Sequence, residues 1–248
     1  MIATKQIYAR KFHSPARKLR VRLNKSGAKP KSRQHILDTL NQHINTLADH
    51  LLQSGDARQI VAITGAPACG KSTLAAELAR RLIAQRRSAV VVEMDGFHLD
   101  NAVLADMGLG LRKGAPETFD ADGFIRLIRA LKSGRDVYAP RFDRTRDLSI
   151  GGAIRIPADT QFVIVEGNYL MFDEAPWRDL SPLWDVTARL EVAMPELRAR
   201  LIHRWLSLNH TRMVATRRAE GNDIPNAQRV IDHALACDFT LNGQPAVN

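Results

Sequence analysis

Cysteine is scarce in this chain: Cys69 and Cys237 are the only two in 248 residues, far apart and without metal-ligand spacing. That excludes a disulfide framework and points to a reducing compartment, with a cytoplasmic location as the expectation. No apolar run reaches the roughly 20 residues that a membrane-spanning helix needs, so no membrane partner is expected. No internal repeat is visible. Acidic residues are missing from residues 1–33, which carry eleven Lys/Arg and no Asp or Glu. The net charge of +10 therefore belongs to this basic tail, and the remainder is balanced at 25 basic against 26 acidic residues. Three readings of the tail stay open: a solvated disordered arm, an Arg-rich presequence, or an upstream start codon that makes it an artefact. It also lacks the interleaved aromatics of a base-stacking platform, having only Tyr8 and Phe12, so a nucleic-acid partner is not expected.

What is present is sharper. Residues 60–73 read IVAITGAPACGKST, a β-branched apolar run ending in Gly65-x-x-x-x-Gly70-Lys71-Ser72. Ile60–Thr64 have the character of a buried strand, and Leu74, Leu78 and Leu82 recur at helical spacing behind the loop. A strand, a glycine-containing turn and a helix N-terminus together form an anion site, because successive N–H groups point inward and the helix dipole adds positive potential. The backbone of Gly65, Ala66, Pro67, Ala68, Cys69, Gly70 and Thr73 would cradle the phosphates of ATP. Lys71 would reach the β- and γ-phosphates, and the Ser72 hydroxyl would ligate Mg²⁺.

Around this loop the chain alternates between elements. A helix over Ile36–Leu51 ends at Gly55-Asp56, and strands are expected at 89–94, 161–166, 187–193 and 239–241. Helices are expected at 73–84, 124–131, 196–208 and 227–236, with Asn222–Asn226 as punctuation. Such alternation means an α/β fold with a parallel, doubly wound sheet, whose ligands sit at the carboxyl ends of its strands. That rule selects Asp95-Gly96-Phe97-His98 after one strand and Glu166-Gly167-Asn168-Tyr169 after another. One carboxylate beside a magnesium nucleotide can accept the proton of an attacking hydroxyl, and the other can hold the metal.

These motifs resemble the phosphoribulokinase, uridine kinase and pantothenate kinase family of P-loop small-molecule kinases. The likeness rests on the loop, Asp95–His98, Arg112–Asp120 (RKGAPETFD), Tyr138–Arg144 (YAPRFDR), Glu166–Tyr169 and Asn222–Asn226 (NDIPN), in the family's order. It is strongest for a bacterial nucleoside/nucleotide kinase-like, fructose-transport-associated branch. The resemblance implies a P-loop NTPase three-layer αβα sandwich with a mostly parallel sheet and a helical lid, over residues 34–248. It implies transfer of the γ-phosphoryl group of ATP to a hydroxyl of a small metabolite, whether sugar, nucleoside or pantothenate-like. Asp95 would then be the base or a metal-linked carboxylate, and Glu166 the metal-organising acid. His98, Arg112, Lys113, Tyr138, Arg141 and Arg144 would line the acceptor pocket. Arg204 and Arg212, with Arg217 and Arg218, would close over the phosphates, and Asn222 and Asn226 would border the adenine. Residues 98–101 (HLDN) lack the residues that mark a pantothenate or uridine pocket, so neither acceptor is assigned. Self-association as a homodimer stays open.

Two other readings are carried alongside: a P-loop ATPase without an acceptor, and a nucleotide-dependent regulator using the basic tail on nucleic acid. Several pattern matches are set aside. Leu148–Gly152 lacks the context of a transporter signature, Gly108-x-Gly110 comes after no strand, and Asn24–Gly27 precedes the loop rather than succeeding it. The Asn209-His210-Thr211 sequon has no sign of secretion beside it, and His35, His43 and His50 read as a surface stripe.

Overall fold

The β-branched runs pair with one another. In the computed structural model, which describes residues 33–55 and 57–242, β1 (Gln59–Thr64), β2 (Ala89–Glu93), β5 (Phe162–Gly167), β6 (Val186–Glu191) and β7 (Phe239–Asn242) form one sheet. Its order is β2-β5-β1-β6-β7 and every pairing is parallel. The central strands β1 and β5 are buried along their whole length, which requires helices on both faces. The expected basic tail lies outside the described residues apart from Arg33, which opens α1 (Arg33–Leu52); Asp56 lies outside them as well. All the described residues fall in a single compact unit. None of their helices is long and apolar enough to cross a membrane.

The helices α2 (Lys71–Ala84), α4 (Ala121–Lys132), α5 (Met194–Ser207) and α7 (Ile224–Asp232) present the stripes that their spacing foretells. Leu74, Leu78 and Leu82 of α2 are fully buried, as are Ile44, Leu47 and Leu51 of α1. At about 1.5–3 kcal/mol for each fully buried leucine or isoleucine side chain, these two stripes contribute a large part of what holds the helices to the sheet. Of the His residues expected as a stripe on α1, His50 packs its ring edge-on against Phe239 of β7 at 5.1 Å between centroids.

Three features depart from the expected pattern. First, β3 (Val137–Asp143) and β4 (Leu148–Ile156) form a separate antiparallel hairpin. Pro140 and the Gly151-Gly152 pair disguise it in the sequence, because both disfavour strand interiors. Second, short α3 (Asn101–Asp106) and α6 (Arg212–Arg218) appear where the sequence pattern gives no helix. Third, Asn222–Asn226 does not punctuate: a π-helical turn, Ala219–Asp223, runs directly into α7. Pro225 sits directly after the π-turn, where the widened backbone accommodates a residue that has no N–H to donate.

The hairpin is docked on the segment just beyond β2. A side chain at Gly96 would stand 2.5 Å from the Pro140 carbonyl oxygen, so only glycine lets β3 approach this closely. That contact sets the hairpin beside Asp95.

Candidate active site

The register of the sheet builds the site. Glu93 of β2 is level with Glu166 of β5, and Ile63 of β1 is level with the same Glu166. Neighbouring strands lie about 4.8 Å apart, so the residues that leave β1, β5 and β2 emerge side by side. The loop after β1 curls through a left-handed Ala68 (φ 62°) and Gly70 (φ 106°) before α2 begins at Lys71. A positive φ at a non-glycine residue stores strain, and such residues cluster at ligand clamps.

Lys71 is buried, and its Nζ donates to Asn168 Oδ1 at 2.8 Å and to the Ala66 carbonyl at 3.1 Å. The Cys69 Sγ lies 3.9 Å from the same nitrogen. Ser72 Oγ donates to Glu166 Oε1 at 2.7 Å. Asp95, in a 3₁₀ turn just beyond β2, receives Arg144 Nη2 on Oδ2 at 2.7 Å. His98 Nδ1 lies 2.8 Å from the Asp95 carbonyl oxygen, and its ring packs against Phe119 and Phe142 at 4.1 and 4.7 Å.

The two carboxylates are pushed in opposite directions. Burial would raise Asp95, but the charges of His98, Arg144 and Lys71 and the Arg144 hydrogen bond hold it below the ordinary carboxylate range. Glu166 lies above that range: burial dominates, with Asp95 and Glu93 adding to it against Lys71 and the Ser72 hydrogen bond. An ionised carboxylate beside a second one in want of a cation is an arrangement that phosphoryl transfer can use. Ser72 and the buried Glu166 fit Mg²⁺, which takes one or two protein oxygens and completes its shell with phosphate and water. Among the described residues no group of three His, Cys, Asp or Glu side chains forms a metal cage, which suits this mode of binding.

The raised Glu166 carboxyl carries a testable consequence. A carboxyl whose folded pKa exceeds its unfolded value stabilises the fold fully only below the unfolded value, and that contribution is lost as pH rises through the folded one. Without nucleotide, Glu166→Gln should therefore melt above the wild type at about pH 8 and converge with it near pH 4. A gain of a few degrees is expected, since about 1 kcal/mol moves the midpoint of a domain this size by roughly 2–4 °C. Paired thermal melts decide it, and a variant that melts lower at pH 8 refutes the costly-carboxylate assignment.

Three clefts meet around the loop. The first, about 330 Å³, is lined by Pro67, Ala68, Gly70, Lys71, Ser72, Thr73, Asp95, Arg144, Glu166, Asn168 and Arg204. The second is smaller, about 140 Å³; it shares Asp95, Arg144, Asn168 and Arg204 with the first and adds His98, Lys113, Phe119, Phe142, Trp205 and Asp223. The third, about 410 Å³ and largely apolar, lies on the other side of the loop between Gly65-Ala66, residues 189–193 and α7.

Several expected pocket residues are elsewhere. Arg112 is exposed and paired with Glu117 at 2.6 Å, and Tyr138 and Arg141 are exposed; none of the three lines the small cleft. Arg112 lies in the short turn Gly110–Arg112, away from the hairpin, and the hairpin register shifts between Ala139 and Arg141. Tyr138 faces out by ordinary alternation between the buried Val137 and Ala139, and Phe142, beyond the shift, lines the small cleft. Arg212 is exposed at the start of α6 and lines none of the three clefts. Asn222 and Asn226 do not border the apolar cleft at all. Asn226 lines the small cleft, and Asn222 Nδ2 donates to the Lys113 carbonyl at 2.9 Å.

Other participants carry weaker sequence signals. Asn168 stands within the strand-end motif, where the carboxyl-end rule points to it. Arg200 donates to the carbonyls of Ala68 and Cys69 at 3.3 and 3.2 Å, pinning the loop to α5. Its partners are backbone atoms, which leave no trace in sequence.

Comparison with known proteins agrees with this geometry. The model of the Phosphoribulokinase / Uridine kinase family matches residues 60–195. A candidate uridine kinase of Schizosaccharomyces pombe is 36% identical over 195 residues, 74% of this chain and 83% of its own length. The uncharacterised Escherichia coli protein YggC is 30% identical over 86% of this chain and 91% of its own. The crystal structure of a candidate fructose transport system kinase from Silicibacter superposes with a TM-score of 0.76 and 48% identity, covering 79% of this chain and 98% of that one.

Proposed function

This chain belongs to the phosphoribulokinase / uridine kinase family and is an ATP-dependent kinase of small molecules; from that premise we propose that Asp95 activates a hydroxyl of a sugar-sized acceptor for attack on the γ-phosphoryl group of ATP. The observation that carries the reading is the position of Asp95 on the wall shared by the phosphate cleft and the small cleft. As the acceptor oxygen bonds to phosphorus, its proton passes to an Asp95 carboxylate oxygen and the bond to the ADP oxygen breaks. Lys71 and Arg204 carry positive charge to the phosphoryl oxygens, and Asn168 and the Ala66 carbonyl hold the lysine in place. Ser72 and Glu166 would hold Mg²⁺, which neutralises phosphate charge when bound. Arg144 keeps Asp95 ionised until a hydroxyl takes its place.

Size narrows the acceptor. The small cleft holds about 140 Å³ and shares Asp95, Arg144, Asn168 and Arg204 with the phosphate cleft, which suits a small metabolite. A sugar in that cleft accords with the fructose transport system kinase named for the Silicibacter structure. The apolar cleft beside Gly65 and Ala66 is the proposed purine site, and the two free cysteines suit a cytoplasmic location. An ADP-release screen across sugars, nucleosides and pantothenate tests the proposal, with stimulation by sugars as the expected result. Acceptor-independent release at the same rate in every well would overturn the kinase reading in favour of an ATPase.

A further inference from the structure

The side of the small cleft facing away from the phosphates is formed by two residues that the π-helical turn delivers. An ordinary α-helix advances 100° per residue, so the one residue inserted at Ala219–Asp223 rotates every later position of the helix by about that angle. Asp223 and Asn226, three apart and on one helix face, both line the cleft.

Their hydrogen-bonding capacity is not used up. Asp223 Oδ2 accepts the Trp205 indole N–H at 2.5 Å, and among the described residues Oδ1 has no hydrogen bond. Asn226 is buried; its Nδ2 donates to Asn222 Oδ1 at 3.2 Å, and its amide oxygen accepts no hydrogen bond among the described residues. Two cations of the cleft are already engaged, Lys113 with Asp147 at 3.1 Å and Arg144 with Asp95 at 2.7 Å. Burial pushes the Asp223 carboxyl upward, and the Trp205 hydrogen bond and the charges of Arg204 and Arg218 offset only part of that. Neither arginine forms an ion pair with it, and Arg218 stacks instead over the Trp205 ring, 4.8 Å from its centroid. Phe119, Phe142 and the His98 ring supply a flat apolar wall to the same cleft.

We propose that Asp223 and Asn226 are specificity-determining residues that bind neighbouring hydroxyls of a neutral, polyhydroxylated acceptor. This rests on the kinase reading above. A carboxylate oxygen accepts from one hydroxyl while the amide serves the next, and the aromatic wall covers the C–H face of the ring. An acceptor with a phosphate or carboxylate at that end meets the Asp223 carboxylate, which has no cation paired to it, and is rejected.

The test uses acceptor-stimulated ADP release from the full chain with pentoses and hexoses, their deoxy analogues and their phosphate esters. The wild type should prefer a sugar to its deoxy analogue by about 10–100-fold in kcat/KM, the scale of one hydrogen bond to a charged group. Asp223→Ala should abolish that preference by raising KM for the parent sugar, with kcat changed only a few-fold, and Asp223→Asn should retain part of it. Trp205→Phe separates contact from positioning, since it removes the donor to Asp223 and leaves the carboxylate. Retained discrimination in Trp205→Phe supports direct contact. Discrimination surviving in Asp223→Ala, or lost equally in Trp205→Phe, or a preference for phosphate esters, overturns the proposal. No acceptor stimulation from the wild type overturns the kinase reading itself, and the assignment of Asp223 falls with it.

Discussion

Lys71→Ala is expected to lower turnover by about 10³-fold or more, the upper end of what loss of one preorganised charge-stabilising donor costs. The effect is large because Lys71 does not sway in solvent: it is buried, and two oxygens fix its Nζ at the phosphate cleft. Water cannot replace it without the same anchorage. Truncation also leaves the Asn168 amide oxygen and the Ala66 carbonyl short of a donor, which costs about 1–3 kcal/mol of stability per buried group. Thermal melts must therefore accompany the kinetics, and the comparison is made where the variant is fully folded. A folded Lys71→Ala protein that hydrolyses or transfers at near wild-type rates would remove the phosphate assignment from this loop.

Asp95→Asn should reduce acceptor-stimulated ADP release by about 10²–10⁴-fold, the usual contribution of general-base assistance. The amide keeps the shape and can still accept from Arg144, but it has no basicity. Nucleotide affinity should change little, because Lys71, Ser72 and Glu166 are untouched, and slow acceptor-independent hydrolysis should persist. The wild-type rate should hold well into mildly acidic solution, since the Asp95 carboxyl lies below the usual range and stays ionised there. Titrations of nucleotide binding and of acceptor-dependent release on both proteins decide the matter. If binding falls in step with turnover, Asp95 is a metal-linked carboxylate and the base lies elsewhere.

The residues that line the cleft at the glycine-containing loop are legible in the chain itself, because short contiguous motifs carry them. Lys71 and Ser72 come after a strand and open a helix, while Asp95 stands just beyond the half-buried edge strand β2 and Glu166 near the end of the buried β5. Parallel register then brings those ends level. The acceptor side is less legible, and two local irregularities explain why. In a regular strand Tyr138 and Phe142 would share a face, yet beyond the irregularity after Ala139 only Phe142 lines the small cleft, and alternation alone does not reveal that break. The inserted residue at Ala219–Asp223 likewise rotates Asn226 onto the acceptor cleft, and no composition signal marks a π-turn. Arg141 and Arg144 show the limit plainly: three residues apart in one motif, only the second reaches Asp95.

The hairpin also divides responsibilities within the molecule. Phe142, Arg144 and Asp147 ride on or beside β3 and β4, a pair that belongs to no part of the five-stranded sheet. The nucleotide apparatus is carried instead by β1, β5 and α2. Changes in the hairpin would therefore reshape the small cleft while leaving the loop, Lys71 and Ser72 untouched, provided Arg144 keeps its bond to Asp95. The seam between the hairpin and the sheet runs through Gly96, where a single added methyl group would prise them apart.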